Sequence, residues 1–575
     1  MTLPPLKTLP QKRARTAAFG GWHAREPVPA GCFADGYGLS AKNYPLLSAR
    51  PGRGCMAGVY NQRLEELLSP KTVALGADIY DFEHRLINGD APLDCVLDAY
   101  QCGYWRDRRN TRVFQAVMTL PGRNVLGYKP DAPADGDIFV DNLDGSAGDE
   151  RVFYEYFDTT DTWEVTEAVR YLQIFWQDPP YPAENFKEGD TVTLSGFLHG
   201  FDGPHQILGR GPNSLTFDIS GEAFPDYWGD LNGTVSRIAP AMDFVTAMGN
   251  RVWGCSSAKH EIYGSKLGDP LNWQAYSGLS DDSYAATVGS AGDFTGIAAD
   301  GDSVLFFKED RVHRLTGTAP SNFQLIEMAV PGIEEGSAAS AAPSDGTIYY
   351  KGPGGVYAWQ GGNISLLSDS FDASNYHSAV AGVSGDTLYI SMQGLPPPPS
   401  EAPPSQREAV GFFELFSYHI PTRTWHREGP VHMAAAAVYD GDLYYRDGDD
   451  GEIYAIGRGG RLPAGAAAEG AVPWMAETWD LGAAGSGLNL SPDRWRLQRL
   501  SLRVFLPPGS TFEAEVQYDK SGVWQGLAKL RGTGKKHGLL DVPLQPRRCA
   551  TLRLRLKGRG EFHLYEIAET YQQES

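Results

Sequence analysis

The chain has 575 residues, 42% of them apolar and 21% charged, and its 67 glycines and 39 prolines favour many short strands and turns over long helices. That length exceeds one simple core, so about two to four domains are expected. A formal net charge of −21 argues against a protein that wraps nucleic acid, because such affinity comes from clustered Lys and Arg. It is compatible with solubility alone, or with a passive acidic wall beside DNA.

The opening stretch, MTLPPLKTLPQKRARTAAFGG, is basic with no apolar run behind it, so it is not a secretion signal. Residues 1–59 read as an extended arm and first strands. Lys7, Lys12, Arg13 and Arg15 are its candidate assembly contacts: the arm either orders against a neighbouring subunit or is a frayed terminus. NQRLEELLSP (61–70) is the best short helix, and residues 60–89, with KTVALGADIYDFEHRLING, read as a first propeller blade. Residues 90–238 form an insertion. Its end, 186–238, carries alternating Val192/Leu194, Gln206/Leu208 and Leu215/Phe217 about Gly, Pro and Asn turns, as expected of a small barrel-like β module. No apolar run approaches the roughly 20 residues that span a bilayer, so no membrane anchor is expected. Cysteines 32, 55, 95, 102, 255 and 549 form no CxxC pair and are expected to be reduced and mostly buried.

One pattern then recurs through 239–460: a Gly/Asp turn, a strand of aromatic and β-branched residues, a second turn and a second strand. It reads GNRVWGCSSAKHEIYGSK from Gly249, with strands at Arg251 to Cys255 and Glu261 to Ser265, and DGDSVLFFKEDRVHRLTG from Asp300. It returns as SDGTIYYKGPGGVYAWQGG from Ser344, SGDTLYISMQ from Ser384 and DGDLYYRDGDDGEIYAIG from Asp440. The first strands start about 40–55 residues apart, the period of a four-stranded propeller blade. An isolated hairpin is marginal in water, and stacking such units around an axis covers both faces of each. The expected fold is mainly β: a propeller of about 6–8 blades with the inserted barrel-like module and a C-terminal β-sandwich.

LPPPPSEAPPS (395–405) reads as an exposed loop, residues 461–473 as a linker, and 474–575 as the sandwich. There Leu552, Leu554 and Leu556 alternate with Arg553 and Arg555, so one face is buried and the other wet and basic. Arg553 and Arg555 join the candidate assembly contacts, either docking an acidic partner or simply solvated.

Signatures of catalysis are missing: there is no HExxH, GxSxG, P-loop or helix-opening GxGxxG. His199 and His205 are close in sequence but flank a turn. DGDDGE (447–452) lacks the twelfth-position glutamate of a calcium loop, where Arg458 stands, and reads as a turn. YDKSGVW (518–524) has one residue too many for a sialidase-type aspartate box. No catalytic, cofactor or metal residue is assigned.

FGGWHAREPVPAGCFADGYGLSAKNYPLLSARPGR (19–53) resembles the opening of tailed-bacteriophage virion structural proteins, the stabilisation, tail-hub or nozzle-like proteins, with GLSAKNYPLLSAR in place of their NLSSxxYPLLSPR-type sequence. The same order continues through EGDTVTLSGF, NRVWGCSS…EIYGSKLGDPLNW, GTIYYKGPGGVYAWQGG and PRRCATLRLRLKGRGEFHLYEI. The resemblance implies a non-enzymatic propeller-bearing ring subunit, in six or twelve copies, of the tail or head-to-tail connector. It further implies assembly in the host cytoplasm, neighbouring portal, adaptor or tail proteins as partners, and DNA passing through without sequence-specific binding. The alternative is a glycan-binding or glycan-cleaving propeller, such as a receptor-binding tail component, with Trp359 and Trp425 stacking on sugars. A propeller scaffold unconnected with viruses is a third reading.

Overall fold

In the computed structural model the described residues are 10–57, 61–69, 71–75, 239–276, 278–394, 412–482, 495–532, 538–542 and 551–573, with short stretches between 78 and 236. They are mainly β, arranged as many small antiparallel sheets. The chain divides into two compact units: Met1–Thr72, Ser290–Thr316 and Gln324–Ser575 make one, Val73–Gly289 and Gly317–Phe323 the other. Among the described residues no helix is long and apolar enough to cross a membrane.

In the larger unit three sheets are each made of four consecutive strands. They are Gly296–Asp300 to Gln324–Met328, Ala342–Ser344 to Asn363–Leu366, and Tyr376–Ser384 to Thr424–Gly429. Local chemistry sets their hairpins. Asp345 and Gly346 both take positive φ between the paired Ser344 and Thr347, the geometry of a two-residue turn that matches strand twist. Asp440 and Gly441 do the same between Tyr439 and Asp442. Burial falls across the first two sheets towards their last strands. Ser303–Phe307 is buried throughout, whereas Gln324–Met328, the last strand of its sheet, is mostly exposed. A strand buried on both faces lies between neighbouring layers, and the first strands of successive sheets do pack on one another in chain order. Phe371 fills one such interior, its ring centroid 5.4 Å from Phe416 and 5.2 Å from Trp425.

The N-terminal segment is woven through this unit. Its strands are β1 (Gln11–Thr16), β2 (Phe33–Tyr37), β3 (Leu39–Ser40), β4 (Leu47–Ala49) and β5 (Gly54–Cys55). β5 adds to the sheet of Met433–Tyr439, Asp442–Asp447 and Ile453–Ile456, and Ala467–Ala468 pairs with its other edge. The stretch 461–473, expected as a linker, is therefore partly stitched into a sheet. β1 to β4 enter the sandwich, which is accordingly not confined to 474–575. One of its sheets orders β3, β4, His563–Gln573, Trp495–Phe505 and Gly538–Val542, with β1 also on His563–Gln573. The other orders β2, Pro473–Thr478, Leu552–Arg559, Thr511–Tyr518 and Gln525–Arg531. Leu552, Leu554 and Leu556 face inward with Phe512, Ala514 and Val516, and Trp474 stacks on Phe562 at 4.0 Å. Each such side chain contributes about 1.5–3 kcal/mol of burial.

The expected first blade at 60–89 lies partly outside the described residues. The described part holds a helix, Gln62–Leu67, capped by the Asn61 side chain, and a two-stranded sheet of Thr72–Leu75 and Asp78–Asp81.

In the smaller unit the hairpin from Arg251 lies in a four-stranded sheet, Phe244–Met248, Arg251–Ser256, Glu261–Gly264 and Tyr284–Thr287, turning on positive-φ Gly249 and Asn250. Thr191–Ser195, Gly203–Arg210, Ser214–Asp218 and Thr234–Ser236 join Tyr171–Phe175 and Ala99–Cys102 in a six-stranded sheet. Val192, Leu194, Leu215 and Phe217 are buried as the alternation requires, but Ile207 is buried while Leu208 is 46% exposed. Ile207 opposes Phe217, and a bulge between Ile207 and Gly209 shifts the register. A buried hydrogen bond from Asn272 to Asp190, 2.7 Å, joins this module to the sheet beside it.

Candidate functional site

Lys7 lies outside the described residues. The rest of the basic arm is a strand on its own chain: β1 runs antiparallel to His563–Gln573 from Gln11 opposite Gln572 to Thr16 opposite Ile567. Ala14 packs on the sandwich core, while Lys12, Arg13 and Arg15 are exposed. Arg13 and Arg15 reach the same carboxylate, Glu566, at 3.8 and 3.4 Å.

Arg553 and Arg555 lie on the other sheet, and the structure pairs them within the chain. Arg553 donates to Asp480 at 2.6 Å and to Glu26, and Lys520 approaches the same two acids. The hydrogen bond from Arg553 holds Glu26 below the ordinary carboxylate range. Arg555 donates to Glu477 at 2.7 Å with its guanidinium 4.0 Å from the Trp524 ring centroid, and Lys557 donates to Glu515 at 2.6 Å. The wet face is thus a ladder of alternating charge.

A buried cluster that the sequence did not announce joins the N-terminal segment to these sheets. Arg50, with 6% of its side chain exposed, donates from both terminal nitrogens to the two Glu469 oxygens at 2.7 Å, and its Nε lies 3.3 Å from Glu428. Arg53 and Ser417 also donate to Glu428, at 3.2 and 2.9 Å. Burial alone would lower the Arg50 pKa, but the Glu469 hydrogen bond and the charge of Glu428 raise it. Removing either partner would strand a buried charge. A cleft of about 710 Å³ beside the cluster is lined by Lys42, Ser48, Arg50, Glu469, Glu561 and His563. Its two central charges, Arg50 and Glu469, are spent on each other, and His563 lies 3.1 Å from Glu561.

Trp359 and Trp425 are buried, 0% and 2% exposed, and donate to Asp300 and the Leu367 carbonyl, so neither is available to a sugar. Residues 447–452 form a turn in which Asp447 and Asp450 accept backbone hydrogen bonds two residues on. Asp519, Lys520 and Gly522 take positive φ in a turn. His199 lies outside the described residues, and His205 packs on Phe217. Cys255 is buried, Cys32 and Cys55 are half-buried, and none of the three is in a disulfide. Among the described residues no three His, Cys, Asp or Glu side chains gather as metal ligands would.

No family model matches the chain, and no curated protein matches it. Among solved structures it is similar to an exo-β-1,3-galactanase of Phanerochaete chrysosporium at 8% identity and TM-score 0.22, over 56% of this chain and 94% of that one. A chain of a nidogen/laminin complex shares 13% identity at TM-score 0.25, over 47% and 88%. A family 43 arabinoxylan arabinofuranohydrolase of Bacillus subtilis shares 11% at TM-score 0.13, over 58% and 95%. Likeness at these levels carries no inference about fold, substrate or activity.

Proposed function

We propose that the chain is a non-enzymatic structural subunit of a tailed-bacteriophage virion, a propeller-bearing hub or nozzle-like ring component of the tail or head-to-tail connector. The observation that carries this reading is the weave: one N-terminal segment contributes strands to both sandwich sheets and to the Met433–Ile456 sheet, and Arg50 bolts it to Glu428 and Glu469. A body whose sheets are sewn together by a single strap resists being pulled apart, which is what a load-bearing virion part requires. The ordered pieces from GLSAKNYPLLSAR to CATLRLRLKGRGEFHLYEI support the same reading. So do the four-stranded sheets whose first strands pack in succession, which is the packing of propeller blades.

In such a role rigidity holds the loops in fixed positions, and ring symmetry multiplies weak contacts into a stable collar. The charge of −21 would repel genome phosphates and let DNA slide past. The glycan reading loses support because the two tryptophans offered to a sugar are core residues. Electron microscopy of the purified chain and of virions tests the proposal. Closed rings and a matching collar in the particle are expected; a monomer that releases or binds sugars overturns it.

A further inference from the structure

We infer that the outer face of the sandwich sheet carrying β1 docks on the acidic turn Asp447–Glu452 of a second copy of this chain, head to tail. This rests on the ring reading above and names the surfaces that would close the ring.

The register assembles the basic face. Arg13 and Arg499 both oppose Thr570, Arg15 and Ser501 both oppose Ala568, and Arg503 opposes Glu566. Residues directly opposite in a sheet share a face, and Leu500, Leu502 and Ile567 mark the other face as core. Four arginines from strands at the two ends of the chain therefore stand together. Among the described residues, the carboxylate that Arg13 and Arg15 both reach is Glu566. Arg13 and Arg15 keep 48% and 60% of their side chains exposed, and Arg503 lies over Tyr565 at 5.9 Å. In the other sandwich sheet Arg553, Arg555 and Lys557 donate to different acids, whereas here two arginines share one.

The acidic turn is the complement. Asp447, Asp449, Asp450 and Glu452 fall within six residues, and Asp449 is 81% exposed. Backbone bonds from Asp449 to Asp447 and from Glu452 to Asp450, each 2.9 Å, fix its shape, so docking would order little. Its side-chain partners among the described residues are His432 and Tyr454; no Lys or Arg of the chain forms an ion pair with it there. Guanidinium forks match carboxylates bidentately and are weakly hydrated, so desolvating this pairing costs less than it would for lysine. A contact between two different patches propagates from copy to copy and closes when the rotation permits. A nucleic acid fits less well, since the body behind the face carries the net charge of −21.

The test uses the full chain. Sedimentation velocity and mass photometry at low and high salt would follow wild type, R13E/R15E/R503E, D447K/D449K/D450K and the combined variant, with circular dichroism as the folding control. Each reversal is expected to weaken self-association about a hundred-fold, and the combination to restore it to within about ten-fold. If wild type forms rings and both reversals form them equally well, this contact is overturned while the ring reading stands. A wild type that stays monomeric at every concentration overturns both. Rings that persist while the arginine variant loses binding to duplex DNA make the face a polyanion site and overturn the copy-to-copy contact. Should a reversal fail to fold, R13A/R15A, which alters two exposed side chains, answers the same question.

Discussion

The sheets at 296–328, 342–366 and 376–429 are each complete within their own stretch of chain, whereas the sandwich is assembled from residues 11–49 and 473–573. The first kind of sheet draws its register from turns such as Asp345-Gly346. The second draws it from partners as remote as Gln11 and Gln572. The difference teaches that damage at one terminus reaches the two regions unequally, and that their buried charges fail under opposite conditions.

The strongest way to break this comparison is to delete residues 1–57. The sandwich would lose four strands and with them its whole stability, about 5–15 kcal/mol for a domain, while the strands of 296–328, which the segment does not enter, keep their amide protection. Hydrogen exchange that collapses equally in both regions would show the division to be wrong. Next in size is a buried pair inside the local sheets: Lys351, with no exposed side chain, donates to Glu334 at 2.8 Å and to the Gly352 carbonyl. Lys351→Met should cost about 3–5 kcal/mol in urea unfolding, and the double change with Glu334→Met less, because the single change leaves buried Glu334 with only the half-exposed His377, 2.6 Å away, as its partner.

Titration sharpens the contrast further. Burial pushes the His426 pKa from its ordinary 6.5 down to about 4. Above pH 6.5 the ring is neutral in both states; below it the unfolded chain takes up a proton that the folded one refuses. Stability of the 376–429 sheet is therefore lost as pH falls from 6.5 towards 4, by about 3 kcal/mol in full, and a pH series of urea midpoints with His426→Gln should flatten that slope. Glu569 in the sandwich behaves oppositely. Burial raises its pKa, against hydrogen bonds from Tyr571 and the Gly482 amide. The folded state holds its proton after the unfolded state has shed it, so stability falls as pH rises through the raised value. Glu569→Gln should lift the melting of the sandwich by about 2–4 °C at neutral pH and by less in acid, read by calorimetry.

Much of the local architecture was written in adjacent residues. Asp-Gly pairs at 345 and 440 marked two-residue turns, and the spacing of Leu552, Leu554 and Leu556 gave the buried face of their strand. What could not be read is non-local. QKRART has no apolar period, so it looked like a loose arm until a strand some 550 residues on supplied its edge. Gly54–Cys55 is too short to carry any pattern. Arg553 and Arg555 were visible as a basic row, but the acids that neutralise them, Glu26, Glu477 and Asp480, come from elsewhere in the chain. Arg499 and Arg503 alternate with Leu500 and Leu502, but nothing local shows that β1 pairs with the same His563–Gln573 strand and brings Arg13 and Arg15 onto their face. Arg50 sits in YPLLSARPGR with nothing nearby to suggest burial; Glu428 and Glu469 decide it.

The strap formed by β5 has a consequence for biosynthesis. Gly54–Cys55 leaves the ribosome long before Tyr454–Ala455 and Ala467–Ala468, the two edges that receive it. At about 5–20 residues per second some 400 residues of translation separate them, roughly 20–80 s during which the segment has no partner. The nascent N-terminus must therefore wait in the open, and its polar, arginine-rich, proline-punctuated composition suits a tether that stays soluble until the last sheet is made.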